Sequence, residues 1–201
     1  MSLNDTPRAM RLHIGLFGRR NSGKSSLVNA LTGQHVATVS SVPGTTTDPV
    51  YKAMEIHGIG PVVFIDTAGF DDIGSLGALR VERTRDAAKE TDIALVLFSC
   101  IPDERAGVEN EDAFDWLERL QQRSIPVIPV ISRIDEGGGA DALAEAIETK
   151  TGVRPVCVSA VTGAGIEALR TEIARRLPED YRARSITAEV CASGATVLLV
   201  M

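Results

Sequence analysis

The stretch Gly18-Arg19-Arg20-Asn21-Ser22-Gly23-Lys24-Ser25 decides the fold of this chain. It places two glycines, a lysine and a hydroxyl at the spacing of a phosphate-binding loop. An apolar run at residues 13–17 precedes it and a helical pattern at residues 26–31 follows it, which is the strand, loop and helix order that such a loop needs. Without that context the stretch would be a glycine-rich turn before an ordinary helix. We predict a loop whose N–H groups turn onto phosphate oxygens, with Lys24 reaching the β and γ phosphates and the Ser25 hydroxyl available to Mg²⁺.

The composition indicates a globular chain of one domain. Its 201 residues are 44% hydrophobic and 24% charged, which is enough for one sizeable core. The formal net charge of −6 argues against a broadly basic surface, so we do not expect the chain to bind nucleic acid. No apolar run is long enough to span a bilayer, and residues 1–7 lack the basic and apolar regions of a signal peptide. We therefore expect a cytoplasmic protein with no membrane partner.

The three cysteines, Cys100, Cys157 and Cys191, are far apart and form no Cys-x-x-Cys pair. A disulfide framework or a self-contained metal site is therefore not expected. We interpret them as small buried apolar residues. The chain accordingly offers no iron–sulfur cluster site.

Strand-like and helix-like segments alternate along the whole chain. Apolar runs without alternation, at residues 93–98 and 127–131, are typical of parallel strands that helices cover on both faces. Gly58-Ile59-Gly60-Pro61 indicates one antiparallel hairpin. The pattern predicts an α/β fold with a mostly parallel six-stranded sheet and helices on both faces, whose ligands bind beyond the carboxyl ends of the strands. We predict strands near 11–17, 50–57, 61–66, 92–99, 126–131 and 154–158, and helices near 24–32, 79–90, 109–122, 140–151 and 164–176.

A second motif, Asp66-Thr67-Ala68-Gly69, follows a buried strand about forty residues after the first. Asp66 can hold Mg²⁺ through a water molecule, and the Gly69 N–H can meet a γ-phosphate. Between the two motifs, the run Pro43-Gly44-Thr45-Thr46-Thr47-Asp48 offers a hydroxyl that could complete the magnesium shell. The alternative is a threonine-rich turn capped by Asp48.

These three segments together resemble the guanine-nucleotide GTPases of the TrmE, Era and EngA group. The resemblance implies a P-loop GTPase (Ras-like) fold that binds GTP or GDP with Mg²⁺ and hydrolyses GTP to GDP and phosphate at a low intrinsic rate. The resemblance implies that Thr46 is the threonine of the first switch that binds magnesium, with Thr45 as a second candidate. It also implies that Asn21 is a ligand for K⁺, which would stimulate hydrolysis by neutralising charge between the β and γ phosphates. Phe70 cannot orient the attacking water, so that task falls to another residue, to main chain or to the cation. The catalytic set would be Lys24, Asn21, Thr46 and Gly69, and the magnesium ligands Ser25, Thr46 and Asp66; the loop contacts to nucleotide would come from Gly18, Asn21, Ser22, Gly23, Lys24, Ser25 and Ser26.

Base recognition departs from the pattern of this group. Where the group has Asn/Thr-Lys-x-Asp, this chain reads Ser132-Arg133-Ile134-Asp135. Asp135 would pair with the guanine N1 and N2 donors, and Arg133 can stack on the base. Ser132 is shorter than asparagine, which puts the amide contacts to the base and to the phosphate loop in doubt, so we expect weakened nucleotide affinity. Further on, Ser159-Ala160 resembles the last base-binding motif; without Asp135 upstream it would be a strand ending in small residues.

Three stretches, residues 18–21, 45–55 and 79–84, resemble the HydF family of hydrogenase-maturation GTPases. That resemblance covers residues from about 11 to 177. It implies two radical-SAM maturases and the apo-hydrogenase as partners, and it leaves open a homodimer. We expect residues 1–10 to be a disordered leader, 11–177 the GTP-binding domain, and 178–201 a linker and the start of a missing following domain.

Two other functions remain open at this stage. One is a GTPase of tRNA modification or ribosome assembly, which would share all of these motifs. The other is an interaction module that binds nucleotide and hardly hydrolyses it.

Overall fold

The structure, a computed structural model, describes residues 11–19, 21–33, 50–66, 89–101, 106–179 and 181. Apart from three successive strands within residues 50–99, strands and helices alternate through these residues. The strands are β1 (Leu12–Phe17), β2 (Val50–Ile56), β3 (Gly60–Asp66), β4 (Ile93–Ser99), β5 (Val127–Ser132) and β6 (Val156–Cys157). The helices are α1 (Lys24–Thr32), α2 (Ala106–Gln121), α3 (Ala140–Thr151) and α4 (Ile166–Arg175).

The six strands form one sheet in the order β2-β3-β1-β4-β5-β6. All neighbouring pairs are parallel except β2 and β3, which form an antiparallel hairpin with Val50 opposite Asp66 and Ile56 opposite Gly60. The predicted sheet and its single hairpin are therefore confirmed. The sheet order and the single antiparallel pair agree with the fold that the resemblance implies.

Helices cover both faces of the sheet, which explains why β1, β4 and β5 are apolar along almost their whole length. On one face, Leu16 and Leu95 pack in a single cluster with Leu27 of α1 and Leu169 of α4. On the other face, Phe98 packs in a second cluster with side chains of α2 and α3. Its ring meets that of Phe114 at 5.0 Å in an edge-on arrangement.

Predicted and observed ends differ by one or two residues at β6 and at α4. The strand predicted at 154–158 contains only Val156–Cys157, because only these two residues pair with β5. The helix predicted from residue 164 begins at Ile166, after Gly165 in the left-handed region with φ at 73°. A Cβ at Gly165 would lie 1.9 Å from the carbonyl oxygen of Cys157, so the chain crosses β6 too closely for any side chain there.

One predicted helix differs by three residues at its start, and another falls almost wholly outside the described residues. The helix predicted at 109–122 is α2 and begins three residues earlier, at Ala106. The helix predicted at 79–90 lies outside the described residues except for its last two positions. No helix in the described ranges is long and apolar enough to cross a bilayer.

Candidate nucleotide-binding site

The phosphate loop joins β1 to α1 across the carboxyl edge of the sheet. Gly18 adopts φ 147°, and a Cβ there would lie 3.1 Å from the carbonyl oxygen of Leu97, so the loop passes tightly over β4. Asn21 and Gly23 are also left-handed, with φ 64° and 88°. The first turn of α1 contains no acidic residue, which leaves the positive end of the helix dipole uncompensated. This geometry suits an anion.

Lys24 is folded back over this loop and is only 5% exposed. Its ammonium donates to the carbonyl oxygens of Gly18 and Arg19, the second at 2.5 Å. The hydroxyl of Ser22 is buried and has no hydrogen-bond partner within the described parts of the chain. A buried polar atom without a partner costs about 1–3 kcal/mol, which an oxygen-rich ligand in the loop would recover. The loop therefore carries both a buried cation and a buried hydroxyl suited to phosphate.

Two of the three predicted magnesium ligands belong to the described residues. Ser25 lies in the first turn of α1, and Asp66 ends β3 with its side chain 12% exposed. Lys52 of β2 holds its ammonium 4.0 Å from Oδ2 of Asp66. In the part of the chain that the structure describes, no cluster of three or more His, Cys, Asp or Glu side chains could hold a metal. A hydroxyl and one carboxylate fit Mg²⁺, which takes few protein ligands and completes its shell with phosphate oxygens and water.

Three predicted residues, Thr45, Thr46 and Gly69, lie outside the described residues. Their predicted roles in closing the magnesium shell and sensing the γ-phosphate therefore stay predictions. The stretches that contain them, residues 34–49 and 67–88, adjoin the hairpin of β2 and β3 at Val50 and at Asp66 respectively.

Ser132 joins the predicted base-recognition loop, residues 132–135, to the phosphate loop. It is 3% exposed, and its hydroxyl donates to the carbonyl oxygen of Ser22 at 2.8 Å, with the carbonyl oxygen of Phe98 at 3.1 Å. The sequence left this contact in doubt because serine is shorter than asparagine. The structure shows that the hydroxyl reaches the phosphate loop without an amide.

Arg133 follows in the left-handed region, with φ at 61°. Its Nε donates to Oε1 of Glu136 at 2.8 Å, its Nη2 donates to Oε2 of the same carboxylate, and its Nη1 donates to the carbonyl oxygen of Asn21 at 3.3 Å. Glu136 is not among the residues that the sequence predicts for this site. A signal was present, namely an acidic residue three positions after an arginine that replaces the usual lysine.

The loop after β6 is fixed by its own backbone. The N–H of Val158 donates to Ile131 at 2.8 Å, and the N–H of Ser159 donates to Ala164 at 2.9 Å. The Ser159 hydroxyl accepts from the N–H of Thr162 at 3.1 Å. Ser159 is fully buried and acts within the loop, whereas Ala160 lines the cavity described next.

One cavity of about 600 Å³ brings the two halves of the predicted site together. Predicted residues on its wall come from the phosphate loop and from the two base-recognition loops. Gly18, Ser22, Asp66 and Ser159 are not on that wall, and Leu27, Glu136, Val158 and Val161 line it although the sequence analysis did not assign them. The predicted residues on the wall are Asn21, Gly23, Lys24, Ser25, Ser26, Ser132, Arg133, Asp135 and Ala160.

The two described cysteines are free thiols outside this cavity. Burial, with the charge of Asp141 nearby, raises the pKa of the Cys100 thiol and that of the Cys157 thiol. Both are therefore held in the protonated form, which agrees with their interpretation as packing residues.

The chain is similar in sequence to known GTPases. A family model described as "50S ribosome-binding GTPase" matches residues 13–133. The tRNA modification GTPase MnmE of Nitrosomonas europaea is 38% identical over 163 residues, which is 81% of this chain and 34% of that protein. MnmE of Cupriavidus necator is 37% identical over 182 residues, or 82% of this chain and 37% of that protein. The chain thus spans about a third of the length of these relatives.

Solved structures agree with the sequence comparison. Era of Aquifex aeolicus, bound to GDP and AlF4⁻, superimposes with a TM-score of 0.62 at 28% identity and covers 83% of this chain and 57% of that one. The G domain of the FeoB iron transporter of Thermotoga maritima gives a TM-score of 0.61 at 24% identity, over 83% of this chain and 98% of that one, which shows the fold alone. The relatives named above are MnmE proteins and lend no support to the resemblance to HydF.

Proposed function

Since this chain belongs to the GTPase family whose model is described as "50S ribosome-binding GTPase", we propose that it is the nucleotide-dependent switch of a larger protein. The chain is a GTPase, which hydrolyses GTP to GDP and phosphate. The observation that carries the proposal is that Lys24 and Ser25 line the same cavity as Arg133 and Asp135. In GTP a ribose joins a triphosphate to a purine, so the phosphates would contact Lys24 and Ser25 while the base contacts Arg133 and Asp135.

In the phosphate half, we assign charge neutralisation to Lys24. Its ammonium leaves the carbonyl oxygens of Gly18 and Arg19 and binds the β and γ phosphates instead, because phosphate oxygens carry more negative charge than amide carbonyls. Mg²⁺, when bound, neutralises charge on the same phosphates. Ser25, Thr46 and Asp66 would hold it, Asp66 through water. Gly69 would sense the γ-phosphate through its N–H, so that loss of this phosphate releases the loops near 34–50 and 67–80.

In the base half, we assign discrimination to Asp135. Its carboxylate accepts from the N1 and N2 donors of guanine, and adenine offers no such pair. The N–H of Ala160 would meet O6 of guanine, and Arg133 would cover one face of the base. The two tethers from Ser132 and Arg133 to the phosphate loop support this assignment, since they fix the base loop relative to the phosphates.

Asn21 is the residue through which we expect K⁺ to act. It lies on the cavity wall in a left-handed conformation, and its carbonyl oxygen accepts from Nη1 of Arg133. The test is GTP turnover in KCl and in NaCl at equal ionic strength, for the protein and for Asn21→Ala. We expect stimulation by K⁺ that the substitution removes. Equal rates in both salts would overturn the role of Asn21, and no turnover in either would favour a binding module instead.

For the role of the larger protein, the relatives favour tRNA modification, which is the activity named for MnmE. A second candidate is hydrogenase maturation, with radical-SAM maturases and apo-hydrogenase as partners. It is supported by the resemblance of residues 45–55 and 79–84 to the HydF family. Sequencing the encoding gene beyond codon 201 separates the two. A cysteine and histidine cluster would favour the maturation role, and an RNA-modifying domain would favour the other.

A further inference from the structure

An ion pair that the proposed reaction does not use lies at the edge of the cavity. Both carboxylate oxygens of Glu136 accept from the Arg133 guanidinium, one from Nε and one from Nη2. Such a two-pronged pair fixes the plane of the guanidinium as well as its position. The side chains are 32% and 41% exposed, so the pair contributes little to folding stability. Stability alone therefore does not account for it.

The third guanidinium nitrogen links this pair to the phosphate loop. Nη1 of Arg133 donates to the carbonyl oxygen of Asn21, and Cγ of Arg133 lies 3.8 Å from the position that a Cβ would take on Gly23. The N–H of Glu136 donates to the carbonyl oxygen of Arg133 at 3.0 Å, and this turn brings the carboxylate back over the arginine. The guanidinium is thus held from two sides, by the loop that bears Asp135 and by the loop that binds phosphate.

A planar guanidinium needs such support more than an ammonium does. An arginine side chain loses about 2 kcal/mol of rotamer entropy when it is fixed, and its plane covers a purine face in only one orientation. A lysine offers a compact charge on a stem that can lie along the base in several ways. A carboxylate that orients the plane before nucleotide arrives removes part of this cost from binding.

We propose that Glu136 is a positioning residue for guanine-nucleotide binding, because it holds the Arg133 guanidinium as one wall of the base cavity. The inference rests on the base-binding role proposed for Asp135. A wall contacts the face of the base and not its edge, and it does not reach the phosphates. Loss of Glu136 must therefore weaken GDP, GTP and IDP binding by the same factor.

The test is calorimetric titration of the protein and of Glu136→Gln with GDP, GTP and IDP. Glutamine keeps the length of the side chain but provides one acceptor oxygen and no charge. We expect the dissociation constant to rise about three- to fivefold for all three nucleotides, with the GDP to IDP ratio unchanged. The matched control is Glu172→Gln on α4, which breaks a pair of 2.9 Å between Glu172 and Arg176 away from the cavity and should leave the three constants unchanged.

A second background separates positioning from a general effect on the loop. In Arg133→Lys, the two-pronged pair no longer exists, so adding Glu136→Gln should change the dissociation constants little further. An unchanged constant in Glu136→Gln, a loss that persists in the lysine background, or a changed GDP to IDP ratio would each overturn the inference. If instead the unaltered protein binds GDP and IDP equally, the role of Asp135 fails first, and the two failures are distinguishable.

Discussion

The hydroxyl of Ser132 donates to the main-chain carbonyl oxygen of Ser22 at 2.8 Å and so joins the end of β5 to the phosphate loop. Both residues are buried, at 3% and 6% exposure. The bond crosses between the base-recognition half and the phosphate half of the cavity. A substitution that removes this bond should therefore weaken the binding of the base and of the phosphates together.

Ser132→Ala tests this bond. The substitution leaves the buried carbonyl of Ser22 without this donor, which costs about 1 kcal/mol, so we expect a roughly fivefold rise in the GDP dissociation constant. Calorimetric titration measures it. Ser99→Ala is the control, because Ser99 is a buried serine opposite Ser132 in the sheet register. If both variants bind GDP like the unaltered protein, the bond does not couple the two halves.

Lys24→Met tests the phosphate half. Methionine keeps most of the volume of this 5% exposed side chain but removes the charge, and a charged hydrogen bond contributes about 1.5–3 kcal/mol. We expect GDP and GTP affinity to fall by about 10- to 100-fold, measured as loss of the thermal shift that nucleotide produces. The melting temperature without nucleotide should change much less. Retained nucleotide binding would show that the ammonium stays on the carbonyls of Gly18 and Arg19.

Asp135→Asn tests the base half. An amide in place of the carboxylate cannot accept from both N1 and N2 of guanine, but its N–H can donate to the 2-keto oxygen of xanthine. We expect GDP binding to weaken and xanthosine diphosphate binding to strengthen, so that the preference between the two bases reverses. Competition titration of the two nucleotides measures the ratio. A uniform loss of both would place Asp135 outside the base contact.

The sequence predicts the features that depend on the spacing of neighbouring residues. It misses those that depend on contacts between residues brought together only by the fold. The order of strand, loop and helix around Lys24 is local, so the phosphate loop and the exact bounds of α1 follow from it. The two-residue length of β6 does not, because it depends on pairing with β5 alone. Glu136 is missed because its contact with Arg133 depends on the left-handed conformation of Arg133, which an arginine does not indicate in sequence; the spacing of three residues was the one available signal.

Gly165→Ala and Gly152→Ala together test the turn before α4. Both glycines are left-handed, with φ 73° and 69°, so alanine costs about 1 kcal/mol of conformational strain in either place. A Cβ at Gly165 would also lie 1.9 Å from the Cys157 carbonyl, whereas nothing lies within 4 Å at Gly152. We expect Gly165→Ala to lose at least about 3 kcal/mol in denaturant unfolding and Gly152→Ala about 1. Equal losses would mean that the loop moves freely away from β6.

Tyr181 offers a test by pH. Its ring is buried, and its hydroxyl lies 3.2 Å and 3.0 Å from the carbonyl oxygens of Ile59 and Pro61, where it donates into the turn of the hairpin formed by β2 and β3. Burial, with the charges of Asp92 and Glu55, raises the pKa of Tyr181 to about 12, from the usual value of 10. The unfolded chain therefore releases this proton near pH 10 while the folded chain keeps it, so the contribution of Tyr181 is complete below pH 10 and is lost as pH rises to 12.

Tyr181→Phe removes both the hydrogen bonds and the titration. We expect the variant to be less stable below pH 10 by about 1–2 kcal/mol, and this difference from the unaltered protein should shrink between pH 10 and pH 12. Denaturant unfolding at several pH values measures it. Tyr51→Phe is the matched control, because the Tyr51 ring is 40% exposed and its hydroxyl donates to the exposed Glu90, so its stability difference should stay small at every pH. If the stability difference between Tyr181→Phe and the unaltered protein stays constant up to pH 12, the tyrosine ionises equally well in the folded and unfolded chains. The contacts with the hairpin turn would then not raise its pKa.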